Sequence, residues 1–360
     1  MSADHDYMRR ALELAARGLY TTTPNPRVGC VIVRDGAIVG EGFHERAGEP
    51  HAEVLALRAA GERARGATVY LTLEPCAHYG RTPPCADALI EAGVARVVAA
   101  MRDPNPRVAG GGFEKLRAAG IAVETGLMEE QARALNIGFV SRMTRGTPWV
   151  RLKVAASLDG KTALANGKSQ WITSVEARRD GHAFRARACA ILTGIGTVRD
   201  DDPRLDVREV ETPRQPLKVL VDSRLEAPLD AKLFQSGKVL VAAAVNDEAR
   251  IAALQARGVE VVVLPNAGGK VDLAELMREL GRRELNEIHV EAGFKLNGSL
   301  MREGLVDELL VYLAPSLLGE SPSGMFNLPR IEDLDARWRL EFQDVARIGP
   351  DVRLLARVLR

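Results

Sequence analysis

The residues with the clearest chemical potential are one histidine and two cysteines in the first quarter of the chain. His51 opens the stretch His-Ala-Glu, Cys76 closes Glu-Pro-Cys, and Cys85 follows after eight intervening residues. Imidazole and thiolate groups are zinc ligands, and three protein ligands leave the fourth tetrahedral position open for water. Glu53 would stand beside that water as a proton carrier. The pattern predicts a catalytic zinc site.

The spacing of the cysteines departs from the zinc-deaminase signature, H-x-E followed by P-C-x-x-C. Eight residues, instead of two, separate Cys76 from Cys85. The insert contains Arg81 and Thr82, whose guanidinium and hydroxyl groups suit a phosphate. We therefore expect a phosphorylated substrate, while a solvent-facing turn stays open as the alternative on chemistry alone.

The candidate ligands have two simpler interpretations. The two thiols and the histidine could be ordinary buried residues. Alternatively, His78 could close a structural zinc site as a fourth ligand, which would leave Glu53 without a role. The open site is favoured because the ligand set and Glu53 agree. Cys30 and Cys189 lie in apolar strand surroundings and are expected in the core.

Helices and strands must place the zinc ligands next to one another. A proline precedes His51, and the apolar pattern that follows puts it and Glu53 in the first turn of a helix. The stretch 68–73 predicts a strand that ends just before Cys76, and Cys85 opens a second helix. In α/β domains, ligand sites lie at such ends of strands.

The rest of the chain alternates strands with helices, which is typical of an α/β fold. It includes a predicted helix over 129–140, and a boundary near 144–148 suggests two domains, 1–145 and 146–360. The second domain ends on two strands around a turn at 348–350, which we expect to be antiparallel strands at the edge of the sheet.

Three stretches of the second half could admit a phosphorylated cofactor. Gly194-Ile195-Gly196 and the stretch that begins at Gly293 follow strands, but neither completes a phosphate-binding motif, so tight turns explain them equally well. Ser223 and Arg224 follow another strand and could hold the 2′-phosphate of NADP. A solvated loop is the alternative there.

Composition excludes several classes of protein. The 360 residues contain 49 Lys and Arg against 48 Asp and Glu, which argues against a broad basic surface for nucleic acid. The apolar runs are too short to span a bilayer, and the N-terminal stretch has no apolar signal region. Cysteines in a metal-binding pattern fit a reducing, cytoplasmic setting.

Several motifs together resemble one known family, the bifunctional riboflavin-biosynthesis deaminase/reductases. In the first half these motifs are Pro24-Asn25-Pro26-Arg27-Val28-Gly29-Cys30, Gly42-Phe43-His44, His51-Ala52-Glu53 and the stretch from Glu74 to Cys85. In the second half they are 153–161, 169–173, 200–205 and Glu291-Ala292-Gly293. The resemblance covers nearly the whole chain, and 320–332 matches least well.

The resemblance implies a fold, two reactions and two cofactors. The fold would be a cytidine-deaminase-like α/β domain followed by a domain similar to dihydrofolate reductase. The first domain would use zinc to deaminate 2,5-diamino-6-ribosylamino-4-pyrimidinone 5′-phosphate. The second would use NADPH to reduce the ribosyl group to ribityl. The family also implies a homo-oligomer, either a dimer or a tetramer.

The resemblance also implies roles for individual residues. Those expected to contact the pyrimidine substrate are Asn25, His44, Arg81, Thr82, Lys153, Ser169, Arg185, Leu205, Arg208 and Glu291. Those expected to contact NADPH are Ala155, Trp171, Thr197, Asp201, Ser223 and Gly293. Lys153 and Asp201 are both candidates for the proton donor of the reduction.

Two other functions compete with this interpretation. One is a deaminase of nucleosides or polynucleotides, against which the near-zero net charge and the Arg81-Thr82 insert argue. The other is a zinc-stabilised binding protein without turnover. Removal of the metal separates this binding protein from a zinc enzyme, because a structural zinc holds the fold and a catalytic zinc does not.

Overall fold

The computed structural model describes residues 3–77, 84–106, 108–320 and 323–359. The chain divides into two compact units, Met1–Gly146 and Thr147–Arg360. The division lies one residue beyond the domain boundary that the sequence predicts. Among the described residues, no helix combines the length and the apolar content needed to cross a bilayer.

The first unit is a five-stranded sheet with helices on both faces. Its helices are α1 (Ala3–Ala16), α2 (Ala52–Ala60), α3 (Cys85–Glu91), α4 (Gly111–Ala118), α5 (Glu129–Leu135) and α6 (Ile137–Arg145). Its strands are β1 (Gly29–Arg34), β2 (Ala37–Phe43), β3 (Thr68–Leu71), β4 (Arg96–Ala99) and β5 (Ala122–Thr125). The strand order is β2-β1-β3-β4-β5, in which β1 is antiparallel to both neighbours and β3, β4 and β5 are parallel.

The two faces of this sheet bury two separate apolar clusters, because successive side chains of a strand point to opposite sides. Cys30 and Ile32 pack with alanines of α2 and with Leu89 of α3. Val31 and Val33 pack on the other face against apolar residues of α1 and α6. Cys30 is therefore a core residue, as predicted.

The single helix predicted over 129–140 is wrong. Two helices, α5 and α6, meet at Asn136, which has a non-helical φ of −108°. The Asn136 side chain accepts a hydrogen bond from the backbone N–H of Arg27 at 2.7 Å and donates one to the Arg27 carbonyl at 2.9 Å. The helix is interrupted where Asn136 makes these bonds, and the bonds hold the loop that carries Asn25 in place.

The second unit is built on a nine-stranded sheet. Its strands are β6 (Trp149–Ser157), β7 (Ala190–Gly194), β8 (Leu217–Val221), β9 (Val239–Ala243), β10 (Glu260–Val263), β11 (Glu287–Val290), β12 (Glu308–Ala314), β13 (Leu340–Ile348) and β14 (Asp351–Val358). Its helices are α7 (Val175–Arg187), α8 (Ile195–Asp201), α9 (Glu248–Gln255), α10 (Leu273–Arg282) and α11 (Phe294–Arg302).

The strand order of this sheet is β10-β9-β8-β7-β11-β6-β12-β14-β13. All strands from β10 to β12 run parallel, and β14 and β13 close the edge in antiparallel pairing, as the sequence predicts. The apolar cluster around Leu152, Leu192 and Val290 fills the core on one face. Cys189 is buried beside this sheet, in agreement with its predicted core position.

A charged network lies inside the second unit, next to the apolar core. The Arg151 guanidinium is 2% exposed and donates to the carboxylates of Glu287 and Glu308 on the neighbouring strands. Arg187 of α7 completes the network with a 2.9 Å bond to Glu287. Buried charges of this kind are tolerated only when they are paired.

Candidate active sites

Close packing of α2 on β2 positions the first candidate site. A Cβ atom added at Gly42 would lie 2.5 Å from the Ala52 carbonyl oxygen, and one added at Gly40 would lie 2.3 Å from the Ala56 carbonyl oxygen. Glycine is therefore needed at both positions for the helix to approach this closely. The helix begins immediately after His51, and Glu53 lies in its first turn, as predicted.

The three predicted ligands converge at the ends of these elements. His51 lies at the N-cap of α2, Cys85 is the first residue of α3, and Cys76 follows β3. The His51 Nδ1 atom is 3.2 Å from the Cys85 Sγ atom and 3.8 Å from the Cys76 Sγ atom, and all three ligand atoms lie within 4.8 Å of one another. Tetrahedral zinc holds N and S ligands about 3.6 Å apart, so the geometry fits this metal.

The pKa values of Cys76 and Glu53 suit a metal site with an acid–base group beside it. The adjacent Cys85 thiol and, to a smaller extent, His51 lower the pKa of Cys76, which favours the thiolate that binds zinc. Glu53 is buried at 3% exposure, and burial raises its pKa to about 6. A carboxyl group with a pKa in that range can accept and return a proton near neutral pH.

His44 and Asn25 stand beside the ligands and bond to each other. The His44 ring packs edge-on against the His51 ring with 5.3 Å between centroids. Its Nδ1 atom lies 3.1 Å from the Pro50 carbonyl oxygen, to which only a protonated nitrogen can donate. The Nε2 atom is therefore free to accept from the Asn25 amide at 3.0 Å, and burial lowers the pKa of His44, which keeps the ring neutral.

The insert between the two cysteines falls mostly outside the described residues. Arg81 and Thr82, the predicted phosphate contacts, lie in this part of the chain, as does His78, the alternative fourth ligand.

A second cluster of charged side chains lies at the carboxyl end of β11. Arg185 of α7 donates to both carboxylate oxygens of Glu291, at 2.5 and 2.9 Å, and Lys153 of β6 approaches the same carboxylate at 3.9 Å. Burial alone would raise the pKa of Glu291, but the two cations hold it well below its usual range. Burial lowers the pKa of Lys153, which brings this amine closer to proton transfer.

Two histidines that the sequence reasoning missed belong to this cluster. His182 lies one turn before Arg185 on α7, and its Nδ1 atom accepts from the backbone N–H of Arg208 at 3.2 Å. The His289 Nε2 atom lies 3.2 Å from a Glu291 oxygen. In the sequence, His182 lies three residues before Arg185 on a helix, and His289 lies two residues before Glu291 along a strand. Both spacings place side chains on one face, so they were the available signal that the histidines join this cluster.

Some residues predicted to contact the substrate or the cofactor come together around α8, which follows β7, and the loop after β11. The Ser169 hydroxyl donates to Asp201 at 2.9 Å. The loop at Gly293 adjoins Thr197, since a Cβ atom added at Gly293 would lie 3.8 Å from the Thr197 hydroxyl oxygen. Two glycine-opened turns at the carboxyl ends of neighbouring parallel strands fit the phosphates of a dinucleotide.

Other predicted residues have different surroundings. The Ser223 hydroxyl accepts a hydrogen bond from the Val271 N–H at 3.1 Å, and the Arg208 guanidinium pairs with Asp206 at 2.7 Å. Leu205 is 2% exposed, and the Trp171 ring is 64% exposed beneath the Arg178 guanidinium. The last of the predicted contacts, Ala155, is half-buried on β6, on the same face as Lys153.

Comparison with known proteins assigns the chain to a family. Residues 148–354 match the family model of the RibD C-terminal domain, and residues 1–101 match that of the cytidine and deoxycytidylate deaminase zinc-binding region. The riboflavin biosynthesis protein RibD of Escherichia coli strain K12 is 51% identical over 364 residues, which cover 98% of each chain. The chain belongs to the RibD family. It is thus a bifunctional enzyme of riboflavin biosynthesis, with a zinc-dependent deaminase and an NADPH-dependent reductase.

Solved structures of RibD proteins have the same fold. Acinetobacter baumannii RibD is 46% identical with a TM-score of 0.91, and the match covers 99% of both chains. A structure from Thermotoga maritima, described as a diaminohydroxyphosphoribosylaminopyrimidine deaminase/5-amino-6-(5-phosphoribosylamino)uracil reductase, is 33% identical with a TM-score of 0.88 over 99% of both chains. The predicted fold, a deaminase domain followed by a reductase domain, is confirmed.

Proposed function

We propose that the unit Met1–Gly146 carries the deaminase site and the unit Thr147–Arg360 the reductase site. The matches of the two family models, to residues 1–101 and 148–354, support this division. The observation that carries the deaminase assignment is the cluster of His51, Cys76 and Cys85 beside the buried carboxyl group of Glu53.

The proposed substrate is 2,5-diamino-6-ribosylamino-4-pyrimidinone 5′-phosphate, a small phosphorylated pyrimidine. Two observations support this substrate: the chain belongs to the RibD family, and the insert between the two cysteines contains Arg81 and Thr82, which would bind the phosphate. Asn25 and neutral His44, which bond to each other beside the ligands, would contact the pyrimidine or its sugar.

Glu53 is the proposed acid–base group of the deamination. When bound, zinc lowers the pKa of water at its open position from about 15.7 to near 7. Glu53 would accept one proton of this water and pass it to the ring nitrogen as the oxygen adds to the carbon that bears the amine. It would then take the proton of the added hydroxyl group and give it to the amine, so that the C–N bond breaks and ammonia leaves. A positioned acid–base group of this kind contributes typically ~10²–10⁴-fold to the rate.

In the second unit, Lys153, Arg185 and Glu291 are proposed to face the substrate. When bound, NADPH supplies a hydride to C1′ of the ribosyl group. The Arg185 guanidinium is already paired with Glu291, so its proposed part is to hold the carboxylate in place. Lys153 has a lowered pKa and is our preferred proton donor over Asp201, which accepts a hydrogen bond from Ser169.

We also propose that the enzyme acts in the cytoplasm as a homo-oligomer. Support for the cytoplasm is that cysteines stay reduced there and remain available as thiolate ligands. The edge strand β13 exposes Phe342 and Val345 by 63% and 61%, which is a large apolar exposure for a strand at a sheet edge. Light scattering coupled to size-exclusion chromatography measures the assembly state. A monomer at micromolar concentration would contradict the proposed homo-oligomer.

Two variants of the full chain test the deaminase assignment. Glu53→Gln should keep zinc and lose ammonia release, because the amide cannot carry the proton. Cys85→Ser should lose both, because it removes a ligand. Zinc content and ammonia release are measured on the same preparations, with NADPH oxidation on deaminated substrate as the control for the second unit. Full ammonia release by zinc-loaded Glu53→Gln would refute the assignment.

A further inference from the structure

The carboxylate of Glu74, two residues before the zinc ligand Cys76, is buried at 3% exposure and takes no ion-pair partner among the described residues. Its Oε2 atom accepts the backbone N–H groups of Asp103 and Gly110 at 3.1 and 3.0 Å. Its Oε1 atom accepts those of Gly112 and Phe113 at 3.1 and 3.3 Å. One carboxylate therefore satisfies four amides, among them the first-turn amides of α4 that lack helical partners.

The backbone around Glu74 is held just as tightly. The Glu74 N–H donates to the Met101 carbonyl at 3.0 Å. A Cβ atom added at Gly112 would lie 2.0 Å from the Pro75 carbonyl oxygen, so α4 rests directly on the peptide that precedes Cys76. Only glycine allows this approach.

The far side of Cys76 is fixed by α3. The Cys76 carbonyl accepts from the Ala86 N–H at 3.1 Å, and its sulfur accepts from the Cys85 N–H at 3.2 Å. The ligand thus lies between two anchors, one at α3 and the other at Glu74. Loss of the Glu74 anchor would free the Pro75 peptide while leaving all three ligands in the chain.

We propose that Glu74 is a positioning residue of the deaminase, which fixes the Pro75–Cys76 backbone against α4 and thereby sets the Cys76 sulfur for zinc. The inference rests on the proposed zinc site. Groups that orient metal ligands typically change metal affinity or activity by ~10–100-fold when they are altered. Because Glu74 acts on backbone amides, it needs no contact with the substrate.

The decisive variant is Glu74→Gln in the full chain. Glutamine keeps the shape but replaces one acceptor oxygen with an NH₂ group, which faces two N–H donors. We expect zinc affinity, measured by competition with a chelator, to fall ~10–100-fold. Deaminase kcat at limiting zinc should fall in parallel and recover with excess zinc, while KM for the pyrimidine and the rate of NADPH oxidation stay unchanged. The matched control is Glu114→Gln, an exposed residue of α4.

A second pair of variants decides the question if Glu74→Gln does not fold. Gly112→Ala would push the Pro75 carbonyl away and should weaken zinc binding in the same way. Gly111→Ala is the matched control, because its added Cβ would meet only the Ala77 Cβ at an ordinary 3.5 Å.

The outcomes separate this inference from the proposed site. If Cys85→Ser loses zinc but Gly112→Ala binds it as tightly as wild type, the positioning role of Glu74 is overturned and the site stands. Equal loss of zinc in Gly111→Ala and Gly112→Ala would also overturn it. If Cys85→Ser binds zinc normally, the proposed site itself is wrong.

Discussion

Acid should destabilise the second unit through one buried histidine, His182. Its ring is 4% exposed, and burial together with the nearby Arg185 and Arg208 guanidinium groups lowers its pKa from 6.5 to about 4, against a smaller opposing effect of Glu291 and Asp206. The folded state therefore holds the ring neutral at a pH where the unfolded chain takes up a proton. The stabilisation is complete above pH 6.5 and is lost as the pH falls towards 4.

The size of this effect follows from the two pKa values. A decrease from 6.5 to about 4 corresponds to roughly 3 kcal/mol, at 1.36 kcal/mol for each pH unit. Between pH 7.5 and 4.5 the expected loss is about 2.5 kcal/mol, because protonation of the folded state has only begun at the lower pH. His182→Asn removes the titration, while its amide oxygen can still accept the Arg208 N–H.

Urea unfolding followed by tryptophan fluorescence measures this effect in one unit alone. All three tryptophans, Trp149, Trp171 and Trp338, lie in the second unit, so loss of zinc from the first unit at low pH does not enter the signal. We expect wild type to lose about 2.5 kcal/mol more than His182→Asn between pH 7.5 and 4.5. A difference between the two proteins that is the same at both pH values would refute the reasoning.

Three further predictions concern the buried charges, the packing of the helix that begins after His51, and the metal. Arg151→Met should lower the free energy of unfolding of the second unit by about 3–5 kcal/mol, because buried Glu308 loses its partner. The control Arg278→Met breaks an exposed ion pair and should lower it by less than about 1 kcal/mol in the same urea assay. Gly42→Ala should lower deaminase kcat by ~10²-fold through a shift of α2, with NADPH oxidation unchanged, and a wild-type deaminase rate would contradict the packing argument. Chelation of zinc should abolish ammonia release but leave far-UV circular dichroism nearly unchanged, whereas unfolding would support the structural-zinc alternative.

The first site could be predicted from the sequence because its chemistry is local. His51 and Glu53 lie in one helical turn, and Cys85 opens another, so the order of strands and helices was enough to bring the ligands together. The turn at 348–350 between two strands also predicted the antiparallel edge of the second sheet.

Long-range pairing explains what the sequence did not reveal. Asn136 has no local signal for a helix break, since its partner is the backbone of Arg27, more than a hundred residues away in the chain. The pairing of Arg151 with Glu287 and Glu308 likewise depends on which strands become neighbours in the sheet. Isolated charges in predicted strands indicate an edge or a solvent face, and only the topology shows that these are buried.

The most direct test of the central assignment is to follow both reactions separately in one variant. Full-length Glu53→Gln is given the phosphorylated diaminopyrimidine with NADPH, and ammonia release and NADPH oxidation are recorded in parallel with the same assay on deaminated substrate. We expect no ammonia from the diaminopyrimidine and wild-type NADPH oxidation with the deaminated compound. Ammonia release at the wild-type rate would contradict the role of Glu53 in deamination. Loss of NADPH oxidation on deaminated substrate would contradict the assignment of the two reactions to two separate sites.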